Sequence, residues 1–253
     1  MLDRLETTVA LTFDVDWAPD WCIELCAELC AHANVPATFF ITHASPALGA
    51  LRQQPLVELG LHPNFLPGSS HGETPGAVLD HCLALVPEAS AMRMHGLFQS
   101  SALMALVADR YPAIETDVSL LLPFHRNLEP TDLYMGASRR RLTRLPYSWE
   151  DDVAATWPGW RWETDPIISP GLAIFAFHPI HVALNMTTLA RYDALKRALA
   201  VKPLAEASRT DVAPFADQGP GARDFLVRLL ALTDRRRFRR ISEITRAHRR
   251  RST

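Results

Sequence analysis

With 253 residues, 48% of them apolar and 21% charged, the chain can bury a sizeable core and has the composition of an ordinary globular protein. No run approaches the roughly 18 consecutive apolar residues of a membrane span. The opening MLDRLETTVALTFD puts acids where a secretory leader needs positive charge, so a cytoplasmic protein with no membrane span is expected.

In chain order, TVALTFDVD (8–16) reads as a strand and 19–33 as an amphipathic helix with Pro19 suited to its first turn. Cys22, Cys26 and Cys30 recur every four residues on its apolar stripe, and Cys82 has a similar setting. All four read as core-packing thiols rather than a metal or cluster site. ATFFIT (37–42) is a continuous apolar strand, as a parallel sheet covered on both faces requires. A short helix follows from Ser45, LVELGLHPN (56–64) is a third strand, and FLPGSSHGET (65–74) is a loop. Thr74-Pro75 marks the N-cap and first position of a helix over 75–87. AMRMHG (91–96) and AIETD (113–117) are strand candidates around a helix at about 100–110. Residues 118–165 look irregular except for a strand at RRLTRLPYS (140–148). LAIFAF (172–177) is the last strand, and helices near 187–200 and 222–247 flank a loop or linker over 202–221. Repeated βα units predict an α/β protein, a barrel or distorted barrel rather than an open sheet.

Between Arg235 and Arg251 stand nine arginines and one glutamate, a local excess of +8. Phe238, Ile241 and Ile244 interleave with them at helical spacing, which predicts a helix docked on the body with a solvated basic face. No nucleic-acid recognition module accompanies the basic run, so no nucleic-acid partner is expected.

Asp14 and Asp16 in LTFDVDW would project from one face of a strand, about 6–7 Å apart at Cα. Such a pair either frays into solvent or needs water, a cation or a shared proton. His62, Arg93, His95, His178 and His181 also fall at strand ends, which converge at one mouth in parallel α/β folds. Carboxylates with several imidazoles suit a divalent first-row metal, zinc above all, whose bound water becomes a nucleophile near neutral pH. No phosphate-cradling fingerprint, G-x-S-x-G elbow or strand-end cysteine competes with metal-assisted hydrolysis.

LTFDVDW, PATFFIT, ELGLHPNF…SSHG and FAFHPIH, in that order from about residue 8 to 181, resemble the successive motifs of the polysaccharide deacetylases, the family-4 carbohydrate esterases. The resemblance implies an irregular (β/α) barrel, often with seven strands, as one domain over 1–253 with the C-terminal helices (about 222–247) packed on it. It implies Asp14 as general base and Asp16 as a metal ligand, with Val15 separating acids that are usually adjacent. His62 matches the first histidine of the second motif. Leu66 stands where the next histidine belongs, and His71 is the nearby replacement ligand. Arg93 is expected to pair with Asp14, with His95 an alternative site residue, and Asn64 to work near the site or hold the turn. His178 is the expected general acid, His181 its orienting or sugar-binding neighbour, and Asp117 the one aspartate on offer to tune it. The implied reaction uses Zn²⁺, or another divalent first-row metal, to remove an N-acetyl or other small N-acyl group from a small-molecule or lipid-linked sugar in surface polysaccharide or lipopolysaccharide synthesis. Two alternatives stay open: hydrolysis of another C–N bond (a formamide or cyclic ureide), and a glycan-binding barrel without catalysis.

Overall fold

The structure, a computed structural model, describes residues 7–251; the acidic opening MLDRLE lies outside them. Its strands are β1 (Thr8–Asp14), β2 (Ala37–Ile41), β3 (Val57–Leu61), β4 (Ala91–Met92), β5 (Thr116–Asp117), β6 (Thr131–Met135), β7 (Arg140–Arg144), β8 (Trp149–Glu150) and β9 (Leu172–Phe177). Its helices are α1 (Asp20–Ala33), α2 (Ala47–Gln53), α3 (Pro75–Leu85), α4 (Ser101–Arg110), α5 (Asp151–Ala154), α6 (Pro179–Leu184), α7 (Leu189–Leu199), α8 (Arg209–Val212), α9 (Ala222–Leu232) and α10 (Ile241–Arg251). The strands form one sheet in the order β6-β7-β5-β4-β3-β2-β1-β9-β8, parallel throughout except for the β6–β7 hairpin. It curls into a half-barrel with flanking helices, an α/β architecture with nine strands rather than the expected seven.

The two additional strands are β6 and β8, both inside the stretch that reads as irregular. β6 is a half-exposed edge strand without an apolar run, and β8 is two residues paired to β9 over a long sequence separation. Neither leaves a periodic signal, because each is defined by its partner strand.

Period-two alternation sorts the buried side chains into two layers. Val9, Leu11 and Phe13 face the main core beneath the helices. Ala10 and Phe40, with Ile174 and Ala176, face the concave side, where Thr12 and Asp14 follow in the same alternation. Gly60 lies opposite Phe40, and a β-carbon there would come within 2.7 Å of the ring. On the convex side, α1 turns Cys22, Cys26 and Cys30 inward as free thiols. Thr74 caps α3 by accepting from the Ala77 N–H at 3.2 Å, with Pro75 at the first position.

The predicted 222–247 helix is interrupted. α9 ends at Leu232, and residues 233–240 run beside the sheet, where Phe238 is buried and bridges Val9. The Arg239 N–H donates to the Val9 carbonyl at 2.8 Å, a bond that an unbroken helix would forbid. α10 then sends Ile241 and Ile244 into the concave core, Thr245 to Thr116 (2.8 Å) and Arg249 to the Glu115 carbonyl (2.9 Å). It closes the end of the half-barrel opposite the strand C-termini. Among the described residues, no helix is long and apolar enough to cross a membrane.

Candidate active site

Strand parity carries Asp14, His62, Arg93, Glu150 and His178 toward the concave mouth. β1 ends at Asp14, and Asp16 and Trp17 both take left-handed conformations (φ +46° and +55°). A turn, rather than the strand pleat, therefore brings Asp16 beside Asp14, and strained backbone of this kind gathers at functional sites.

Asp16 Oδ1 lies 3.0 Å from His62 Nε2 and 3.0 Å from His95 Nδ1, and those nitrogens are 3.3 Å apart. The His62 Nδ1–H donates to the Arg93 carbonyl at 2.7 Å. A neutral His62 consequently turns a lone pair, not a proton, toward the Asp16 carboxylate. That arrangement is repulsive unless a cation or a proton lies between them. One carboxylate and two imidazoles from separate segments make a donor set that fits a zinc-type ion. Burial opposes ionisation of Asp16, yet the His62 and His95 rings beside it, when protonated, outweigh burial and hold its carboxyl well below the usual range.

Arg93, fully buried, donates from Nη1 to Asp14 Oδ1 (2.8 Å) and to Thr12 Oγ1 (3.0 Å). Its guanidinium stacks between Phe40 and Tyr147, 4.8 and 4.4 Å from the ring centroids. Asp14 Oδ2 is left facing His62 Nε2 at 4.0 Å, within reach of whatever the triad holds. Removing either member of so buried a pair costs about 3–5 kcal/mol, because the other charge is stranded.

His178 closes the opposite side, with Nε2 3.6 Å from Asp16 Oδ2. Asp151 accepts from the His178 backbone N–H at Oδ2 (2.9 Å) and from its Nδ1 at Oδ1 (2.7 Å). Burial alone would lower the His178 pKa, but the Asp151 charge and hydrogen bond raise it well above the ordinary value. Burial would raise the Asp151 carboxyl, but the His181 charge, then the His178 charge and the hydrogen bonds of both rings, lower it. His181 Nδ1 meets the same Asp151 Oδ1 at 3.1 Å, and its ring stands edge-on to Tyr192 at 4.9 Å. Of the two late histidines, His178 is the one that borders the cavity of about 210 Å³ above the triad.

Three expected residues lie elsewhere. His71 Nδ1 accepts from the Asn64 N–H (3.1 Å) and approaches Cys82 Sγ (3.4 Å), while its ring stacks on His81 at 5.0 Å. His95 occupies the place beside Asp16 and His62 for which His71 was the sequence candidate; the Trp17 ring is tilted against His71 at 5.5 Å and edge-on to His95 at 5.3 Å. Asn64 holds the turn, its Oδ1 accepting from the Leu66 N–H at 3.0 Å. Asp117 is paired with Arg144 (2.6 Å) and takes no part around His178, where Asp151 sits instead.

Asp151 and Glu150 are the site residues that sequence reading missed. The acidic run Glu150-Asp151-Asp152, directly after aromatic Trp149, is the signal that could have drawn attention to them. Glu150 Oε2 accepts from the Tyr147 hydroxyl at 2.8 Å, and its side chain lies near both Asp14 and His178. Burial, then the Asp152 charge, push its carboxyl up to about 8, against the opposing pull of His178.

Residues 11–196 match the family model described as WbmS-like polysaccharide deacetylase. A crystal structure of a Bordetella bronchiseptica protein, described as a polysaccharide deacetylase candidate involved in O-antigen biosynthesis, is 33% identical. It superposes with a TM-score of 0.75 over 88% of this chain and 89% of that one. A Bacillus anthracis CE4-family pseudoenzyme is 14% identical, with a TM-score of 0.40 over 96% of this chain and 66% of its own. A peptidoglycan N-acetylglucosamine deacetylase is 13% identical, with a TM-score of 0.42 over 95% and 89%. No curated protein matches by sequence. The family match covers most of the chain and spans every strand that feeds the concave site: this protein belongs to the WbmS-like polysaccharide deacetylases.

Proposed function

We propose that the chain is a zinc-dependent deacetylase that hydrolyses the N-acetyl, or another small N-acyl, group of a sugar in surface polysaccharide or lipopolysaccharide synthesis. The observation that carries this reading is the Asp16–His62–His95 triad set between Asp14 and His178, each of which has its own charged partner. Membership of the family and likeness to the Bordetella protein support the substrate class.

Asp16, His62 and His95 would hold the ion, which supplies Lewis acidity toward the amide carbonyl and a lowered pKa for water. Arg93 occupies Asp14 Oδ1 and so leaves Oδ2 to take the proton of the attacking water. Asp151 keeps the proton of His178 on Nδ1 and favours the imidazolium, so Nε2–H faces the cavity and can protonate the departing nitrogen. Glu150, held by the Tyr147 hydroxyl, lines the same space. The products are the acid and the amino sugar.

The test measures acetate release from N-acetylated sugars by zinc-loaded protein, alongside zinc content. Asp14→Asn should keep its zinc and lose turnover by about 10²–10⁴-fold, the usual worth of a general base. An Asp14→Asn protein that turns over like wild type refutes the assignment.

A further inference from the structure

The catalytic cavity has a neighbour. A second cavity of about 220 Å³ shares Asp16, Asp152 and His178 with it and extends to the face of α7, where Tyr192, Asp193 and Lys196 line it. His178 stands on the divide. Its Nε2 must reach the leaving nitrogen, so whatever that nitrogen is attached to lies on the His178 side, away from the acyl group. Together the two cavities approach the size range of small-ligand sites.

We propose that this second cavity is the subsite for the amine-bearing sugar ring, with Tyr192, Lys196 and Asp152 its recognition groups, and that it takes an uncharged, hydroxyl-bearing glycoside rather than a ring bearing a phosphate. The inference rests on the hydrolase reading above and deepens it.

The lining mixes donors and an acceptor, as sugar hydroxyls require. The Tyr192 hydroxyl makes no hydrogen bond among the described residues, although its ring is fixed between His181 (4.9 Å) and the Lys196 ammonium (4.4 Å from the centroid). Burial, then the Asp16 charge, push this phenol up to about 12, so it remains a donor at neutral pH. Asp152 gives one oxygen to the Val153 N–H at 2.6 Å and keeps the other as an acceptor. Lys196 is paired with Asp193 at 2.9 Å, and His178 with Asp151, which leaves the Asp152 carboxylate without an ion pair of its own among the described residues. A phosphate placed beside it would meet like charge. A sugar residue joined through a glycosidic bond, as at the end of a lipid-linked oligosaccharide, brings hydroxyls and no such charge.

Calorimetry on zinc-loaded Asp14→Asn protein, which retains the site without consuming the ligand, tests this. The probes are the methyl glycosides of N-acetylglucosamine and N-acetylgalactosamine and the corresponding 1-phosphates. A glycoside should bind about tenfold tighter than its 1-phosphate, and adding Tyr192→Phe should weaken glycoside binding about tenfold with zinc content unchanged, the worth of one well-placed hydrogen bond. Equal or tighter binding of the phosphates, or glycoside affinity indifferent to both Tyr192→Phe and Asp152→Asn, overturns the subsite while acetate release by wild type leaves the hydrolase reading standing. No glycoside binding together with no acetate release from any N-acetylated sugar sinks both.

Discussion

Asp16–His62–His95 and Asp151–His178–His181 have the same composition, one carboxylate and two imidazoles, and stand side by side at the concave mouth. Their surroundings divide the chemistry. Asp16 is 18% exposed and presents one oxygen to two ring nitrogens, with the His62 proton turned away to a carbonyl. Asp151 is fully buried and saturated by a backbone N–H and two Nδ1 atoms. The first set has lone pairs converging on a point that a cation can fill. In the second the carboxylate is spent internally, so what it offers outward is the Nε2 atoms of the two imidazoles and the charge state of His178. Identical side chains are suited to cradle a cation or to donate a proton according to which of their atoms are already committed.

Losing a cradle imidazole should have the largest effect. His95→Ala is expected to strip the zinc and abolish acetate release, whereas His71→Ala keeps near-stoichiometric metal; metal analysis of the two purified variants decides it. Should His71→Ala lose its metal and His95→Ala keep it, the cradle has been drawn around the wrong histidine.

Asp151→Asn comes next and acts through pH. In the wild type the raised His178 pKa keeps the acid protonated, and kcat/KM falls only as pH rises through that raised value. A bound cation cancels the help of Asp16 but leaves that of Asp151, the larger one. Without the Asp151 charge the alkaline limb should move down toward the ordinary imidazole value of about 6.5 or below, with activity at neutral pH reduced about 10²-fold. Stability has the same sign: the His178 contribution is full below about pH 6.5 and lost as pH rises through the raised pKa. The Asp151 contribution is present above about pH 4 and lost as pH falls through its lowered pKa. Parallel pH–rate and urea titrations of wild type and variant check both; an unmoved alkaline limb would show that His178 is not the titrating acid.

The smallest effect is expected from His181→Leu, since His178 keeps its own bonds to Asp151. Zinc should be retained and kcat should fall by about tenfold, the low end of what one hydrogen bond to a charged group is worth. A loss as deep as that of Asp151→Asn would make the two imidazoles a single functional unit.

Most of the parallel framework was legible because its strands are buried on both faces. ATFFIT and LAIFAF are unbroken apolar runs, and the α1 stripe repeats at helical spacing. Asp14, Asp16, His62, Arg93, His95 and His178 were legible as polar residues placed at the ends of such runs. The partner of His178 was not. Asp151 follows a two-residue strand in a stretch without periodicity, and the parallel β8–β9 pairing brings it to His178 across 27 positions. The choice between His71 and His95 was equally out of reach, because it turns on a left-handed bend at Asp16 and a 3₁₀ turn at His95.

What the amino-acid order determined by itself is local: which segments are buried on two faces, where they stop, and which titratable groups stand at those stops, because periodicity and propensity act over a few residues. Tertiary structure alone decided which of those groups converge as a candidate ion site and which pair with one another. Both outcomes depend on which atoms from distant segments meet, and that is set by strand pairing, turn handedness and the packing that holds Arg93 between two rings.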